Sequence, residues 1–267
     1  LCTFLCENCF LVQLDEIETP ENIFSEYAYF SSFSTSWLKH AKDYVDMIIP
    51  KLSLDENSLV IEIASNDGTV LSLFQDKGCE ILGIDPAENI VKVANKNGVR
   101  SIAEFFNLKT ADNVLDKFGK WDLCIARNVM AHVSDLHGFA EGIKVLLSKK
   151  GFAVIEVPHL QTMFEELQYD QVFHEHIGYH SLHSFNKLFN QYNLEVFHVE
   201  KIWIHGGSLR VYLQHKGGPR QITSRVKEVL IEEQTLGLYE LKTWYGFAEK
   251  VLDHKIALRE EILKLKS

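Results

Sequence analysis

Four histidines and a carboxylate crowd one short stretch: His174, Glu175, His176 and His180 lie within "DQVFHEHIGYHSL" at residues 170–182, and His183 comes next. Near-neutral titrating groups packed so closely suit metal ligation, proton transfer, or a polar loop that happens to be rich in histidine. The spacing disfavours zinc. "HEHIG" is not H-E-x-x-H, because Gly178 stands where the second histidine belongs. Only His176 and His180 have the i, i+4 spacing, and no third ligand is arranged beside them. Proton transfer suits His176 with Glu175 beside it, whereas His174, His180 and His183 fall to the polar-loop reading.

A second set of candidates sits in "EIASNDGT", residues 62–69, directly after an apolar run. Doubly wound sheets bind ligands there, at the carboxyl end of the first strand. The three glycines that cradle a pyrophosphate are missing, with Ala64 and Asn66 in the first two positions. Gly68 can still make a tight turn, and Glu62 and Asp67 offer carboxylates for a ligand ammonium or for holding that turn. Asp85 ends the next apolar run and is placed to accept two ribose hydroxyls. The local alternative is a cap for the helix in "DPAEN", with Pro86 at its first position.

The third set is "CENC". Cys6 and Cys9 form a C-x-x-C pair near the N-terminus, with Cys2 close by. No secretory signal precedes them, so half a zinc ribbon is favoured over a disulfide. Two thiolates do not complete a tetrahedral site, and the other ligands must be absent or distant. Cys79 and Cys124 lie in apolar runs and are expected to be buried thiols.

Elements alternate in a way that brings the first two sets to one edge. A Ser/Thr-capped helix is expected from about Ser36 to Ile49, ended by Pro50. Apolar runs at 58–64, 80–85, 99–103, 121–129 and 152–158 read as strands. Helical patterns separate them from Gly68 to Lys77, from Pro86 to Gly98, and from Asp135 to a stop at Gly151. This alternation means a parallel sheet covered on both faces. Two β-rich runs follow, at 194–205 and 207–216, read as an antiparallel hairpin turning at Gly206 and Gly207. Residues 224–266 read as two long amphipathic helices. Five parallel strands followed by a hairpin resemble the layout of the Rossmann-like, S-adenosylmethionine-dependent methyltransferases.

Composition narrows the partners. The 267 residues are 46% hydrophobic and 24% charged, with a net charge of −10. That acidic balance argues against a general nucleic-acid binder. No apolar run approaches the roughly 20 residues of a membrane helix, and a cytoplasmic location is expected. The chain begins at Leu1 and ends inside a helical pattern, and is read as part of a longer protein.

"CENCFLVQL", "EYAYFSSFS", "VIEIASNDGT", "LGIDPAENIVKVAN", "RNVMAHVSD", "FHEHIGYHSL" and "HGGSLRVY" occur in this order. Together they resemble the nucleotide-sugar C-methyltransferases that act at C-3 of dTDP-linked 4-keto-deoxysugars. The resemblance runs over essentially the whole chain. It implies an α/β class I methyltransferase sheet at 51–218, preceded at 1–50 by a partial zinc-binding segment and lead-in helix, and followed at 219–267 by a helical extension toward a further lobe. It implies S-adenosylmethionine held by Glu62, Ala64, Ser65, Asn66, Asp67, Gly68, Asp85, Pro86 and Asn128, with a structural zinc at Cys6 and Cys9. A dTDP-sugar pocket is implied at Tyr27, His132, Glu175 and His176, with a histidine as base. Ser208 and Arg210 are candidates to face a phosphate or the sugar. Two positions depart from the family: Phe173 stands where a tyrosine usually precedes HEH, and Ala64 where glycine is usual. Methylating carbon beside a ketone needs a base near neutral pKa and donors for the enolate oxygen, which fits these residue types. The alternatives are an O- or N-methyltransferase, which needs no carbon-acid base, and a silent nucleotide-sugar-binding homologue.

Overall fold

A computed structural model describes residues 1–15 and 18–266. The lead-in is β1 (Thr3–Leu5), β2 (Val12–Leu14), the short α1 (Pro20–Phe24) and α2 (Thr35–Leu52). In α2 the Ser34 hydroxyl accepts the Trp37 N–H, and Ala41, Tyr44, Val45, Ile48 and Leu52 bury one face at i, i+3, i+4 spacing. Pro50 does not end this helix. The ring removes one donor, but its own φ is helical, so Lys51 and Leu52 complete the last turn before Ser53 takes a left-handed cap.

The core alternates β3 (Leu59–Ile63), α3 (Thr69–Gln75), β4 (Glu80–Asp85), α4 (Glu88–Lys96), β5 (Ser101–Ala103), α5 (Leu108–Phe118), β6 (Trp121–Arg127), α6 (Leu136–Leu146) and β7 (Leu147–Pro158). Next come α7 (Leu160–Glu165), β8 (Gly178–Tyr179), α8 (Leu182–Phe189), β9 (Leu194–Ile202), β10 (Ser208–His215), α9 (Ser224–Thr235) and α10 (Leu241–Lys266). The main sheet has the order β5-β4-β3-β6-β7-β10-β9. Its first five strands are parallel, while β10 runs antiparallel to both β7 and the edge strand β9. This is the expected class I methyltransferase sheet.

Both faces are covered, which is why β3, β6 and β7 are mostly apolar, with Glu62, Arg127 and Glu156 as buried exceptions. Tyr44, Ile48, Leu71 and Phe74 from α2 and α3 fill one side, and Phe139, Ile143, Phe185 and Phe189 from α6 and α8 fill the other. Each such side chain contributes about 1.5–3 kcal/mol by leaving water. Two boundaries differ from expectation. Helix α6 ends at Leu146, so Gly151 lies within β7 and is no helix stop. The hairpin connection is Trp203–Gly207, not a two-glycine turn.

A second, small sheet pairs β1-β2-β8 and carries the Cys6–Cys9 turn at one end. No helix among the described residues is long and apolar enough to cross a membrane.

Candidate active site

The ends of β3, β4 and β6 come level because Ile63 pairs with both Ile84 and Ala126. They open onto a cavity of about 940 Å³, within the size range of small-molecule sites. Glu62 is the one charge in β3 and only 3% exposed. Arg127 donates to its Oε1 at 3.1 Å, while Oε2 is buried without a partner. Burial raises this carboxyl to about 7 against the pull of Arg127. The Arg127 guanidinium lies over the Trp37 and Tyr44 rings, 4.9 and 5.1 Å from their centroids. From Arg127 the charges alternate along one row of the sheet: Arg127 pairs in register with Glu156, Glu156 with Arg210, and Arg210 with Glu200.

The turn after β3 holds Ala64 and Asn66 at φ +54° and +50°. Asp85 fixes it, one carboxylate oxygen accepting the Asn66 N–H and the other the Ala87 N–H, each at 2.9 Å. Burial raises the Asp85 pKa. Asp85 and Pro86 line the cavity, but α4 starts at Glu88, so Pro86 does not occupy the first helical position. Ser65 and Asn128 also line it, and the Ser65 hydroxyl and Asn128 Oδ1 are buried without partners. Such orphaned polar atoms are what a bound ligand satisfies. Asp67 and Gly68 are not part of the lining. Asp67 holds the turn, accepting the Thr69 hydroxyl at 2.6 Å and the Ser32 N–H at 3.0 Å. A side chain at Gly68 would meet Val99 at 2.6 Å.

Two amides hold the segment 27–31, which contributes Tyr27, Tyr29 and Ser31 to the cavity lining. Asn66 accepts the Ser31 N–H at 2.8 Å and donates to the Tyr29 carbonyl at 3.0 Å. Asn89 treats Tyr27 likewise, accepting its N–H at 3.2 Å and donating to its carbonyl at 2.8 Å. Each amide thus supplies the donor and acceptor that a neighbouring strand would. Tyr27 lines the cavity, half-buried, and burial raises its phenol pKa.

The histidines enter from the other side. His132 sits in the 3-10 turn after β6, its Nδ1 2.8 Å from the Glu175 carbonyl. A carbonyl only accepts, so Nδ1 carries the proton and Nε2 is left as the basic nitrogen. The His176 ring meets His132 edge-on at 4.9 Å and packs on Phe173 at 4.1 Å, centroid to centroid. Burial, followed by the His132 charge, pushes His176 down to about 4, and burial also lowers His132. Both are therefore neutral, in the proton-accepting form, at pH 7. Tyr27, His132, Glu175 and His176 all line the one cavity.

Other expected or possible residues sit elsewhere. His174 is exposed. His180 is buried, and burial lowers it to about 4. His183 packs on Tyr239 at 4.3 Å. The Ser208 hydroxyl donates to the Ile204 carbonyl and Arg210 to Glu156 and Glu200, so neither faces the cavity. Sequence reasoning missed Trp37 and His205, and also Glu104, Phe105 and Phe106, which line the cavity just after β5. Their position after a parallel strand was the available signal.

Cys6 and Cys9 occupy one turn, in which the Cys6 carbonyl accepts the Phe10 N–H at 2.8 Å. The backbone N–H groups of Cys9 and Asn8 lower the Cys6 thiol pKa, while burial raises that of Cys9. Among the described residues no cluster of three or more metal-ligating side chains occurs. A four-coordinate zinc site is therefore not completed by them, and the expected zinc lacks support here.

Comparison with known proteins bears on the family and the fold. The family described as "Methyltransferase domain" matches residues 37–199, and "C-methyltransferase C-terminal domain" matches 203–267. The C-methyltransferase NovU of Streptomyces niveus is 32% identical over 256 residues, covering 96% of this chain. The chain spans 61% of that relative's length. Among solved structures, the PH0226 protein of Pyrococcus horikoshii OT3 superposes with TM-score 0.54 at 15% identity, covering 73% of this chain and 98% of that one. Magnesium protoporphyrin IX methyltransferase of Synechocystis PCC 6803, with bound SAH, gives 0.51 at 13%, covering 67% and 83%. Those two likenesses speak to the fold alone. The chain belongs to the methyltransferase-domain family and carries the fold of an S-adenosylmethionine-dependent methyltransferase.

Proposed function

We propose that the chain is the catalytic part of a C-methyltransferase acting on the carbon next to the ketone of a dTDP-linked 4-keto-deoxysugar. The observation that carries this reading is the neutral His132–His176 pair facing the same cavity as the β3 and β4 turns. O- or N-methyl transfer needs no carbon-acid base, and a C-methyltransferase is the relative matched along the chain.

When bound, S-adenosylmethionine supplies an electrophilic methyl on sulfur. Glu62 is suited to its ammonium, Asp85 to its ribose, and Ser65 and Asn128 offer the unpartnered polar atoms beside them. His176 takes the C-3 proton, and the C–H pair becomes the enolate double bond. His132 stands beside it, held in one tautomer by the Glu175 carbonyl. Tyr27 contributes its ring to the wall of the same cavity. Cys6 and Cys9 enter no step. A zinc there would need two more ligands, and elemental analysis of the full-length protein tests for it.

The deciding experiment is incubation with a dTDP-4-keto-deoxysugar in deuterated water. The expected result is deuterium at C-3 with S-adenosylhomocysteine present and a C-3 methyl group with S-adenosylmethionine. Methyl transfer to oxygen or nitrogen without C-3 exchange overturns the reading.

A further inference from the structure

His205 is a third histidine open to the cavity, contributed by the connection Trp203–Gly207 and not by the HEH block. Its backbone is left-handed, φ 54° and ψ 38°, a strained conformation for a residue with a β-carbon. Gly206 and Gly207 follow at φ +77° and +112°, making three consecutive positive values. A side chain at Gly207 would press on Thr162 at 2.6 Å, so the connection is tightly determined. It is tied to the segment that leads into HEH, because the Gln168 amide donates to the Gly206 carbonyl at 2.9 Å. Strain held in place by its surroundings is a mark of function when the side chain faces a ligand site.

The His205 ring packs against Trp37 at 5.8 Å between centroids. Neither ring nitrogen hydrogen-bonds to any described residue of the chain. The residue is exposed, so its ring N–H meets solvent at the open side of the cavity that His176 and Glu62 also line.

Resting on the carbon-acid reading above, we infer that His205 is a catalytic residue whose ring N–H donates to the substrate carbonyl oxygen as that oxygen becomes an enolate. The C-3 proton goes to His176, the C–H pair forms the carbon–carbon double bond, and the carbonyl π pair moves onto the oxygen facing His205. When C-3 takes the methyl group, sulfur keeps the S–C pair and the oxygen returns to a ketone. His205 gives up no proton. It stabilises charge that exists only near the transition state, so its loss should appear in kcat and not in KM.

Three variants separate this role from a structural one. His205→Gly relieves the left-handed strain and removes the donor. His205→Asn tolerates the same backbone and keeps an N–H. His205→Ala keeps the strain and removes the donor. The measurement is C-3 deuterium exchange with S-adenosylhomocysteine bound, alongside methyl transfer and cofactor affinity in the full-length protein. Exchange and kcat should fall about 10²–10³-fold in His205→Gly and His205→Ala, with partial recovery in His205→Asn and unchanged cofactor binding. Wild-type exchange rates in a folded His205→Gly overturn the assignment alone. Absence of exchange in the wild type overturns the carbon-acid reading and this assignment with it.

Discussion

His132 stands edge-on to His176 with ring centroids 4.9 Å apart, so a charged His132 would place a like charge beside the second imidazole. The arrangement favours two neutral rings, one fixed by the Glu175 carbonyl and the other backed by Phe173.

His176→Ala should therefore lose about 10²–10⁴-fold in turnover with cofactor affinity intact. The acid limb of the rate profile should lie below the ordinary histidine value, since the active form is neutral and His176 is held down at about 4. The same displacement acts on stability. Between about pH 6.5 and 4 the unfolded chain binds the proton that the folded state refuses, so stability falls as pH falls through that window. A turnover profile at saturating cofactor with its acid midpoint above 6.5 would remove His176 as the base.

Glu62 gives a proton-linkage test. Its carboxyl, raised to about 7 by burial, is partly protonated at neutral pH. An ammonium brought beside it favours the ionised form, so cofactor binding should expel a proton. Affinity should then weaken as pH drops from 7, by up to about tenfold per unit. Calorimetry in buffers of different ionisation enthalpy measures the released proton, and Glu62→Gln should abolish it. Binding that is independent of pH between 5.5 and 7.5 contradicts the assignment.

The alternating charge row predicts a stability effect at Arg210, which is not part of the cavity lining. Arg210 is 6% exposed and bonded to Glu156, which is wholly buried. Burial opposes ionisation of Glu156, yet His40, Arg210 and Arg127 hold it at about 2. Arg210→Met strands that carboxylate and should cost about 3–5 kcal/mol in denaturant unfolding. A loss under 1 kcal/mol would mean the row is far wetter than its burial implies.

Ala64→Gly should move stability the other way. Ala64 sits at φ +54°, where only glycine is free of strain, and the substitution should gain about 1 kcal/mol. Thermal unfolding of the two proteins side by side reads it. A destabilised glycine variant would mean that the Ala64 methyl packs well enough to outweigh the strain.

Much of this was legible in the residues. Strand β4 falls at Glu80–Asp85 because a parallel core strand is a closed apolar block, and the turns after β3 and β4 follow from it. Helix α5 gave a usable signal in its Asn107 cap and buried Ala111 and Val114, although the sequence reading assigned no element to residues 104–120. Strands β1, β2 and β8 are two or three residues long, too short for any period to show. The Asn66 and Asn89 amides act across 35 to 62 residues, and no local pattern encodes such reach. His205 was hidden for another reason: beside two glycines it looks like part of an ordinary turn. Arg210, a candidate to face a phosphate or the sugar, has two carboxylates as its register neighbours instead.

One residue joins the small sheet to the turns that carry His132 and His176. Ile177 receives the Leu14 N–H on its carbonyl at 2.9 Å and gives its own N–H to the Ala131 carbonyl at 2.8 Å. The cysteine turn thus belongs to a sheet that is hydrogen-bonded beside His132 and His176, while its cysteines contribute nothing to the main core. Damage to that turn should act like a slackened tether: oxidation or alkylation of Cys6 and Cys9 would let the two imidazoles drift apart while the seven-stranded sheet melts at its usual temperature. Such a protein would bind its cofactor, look folded by every bulk measure, and turn over slowly.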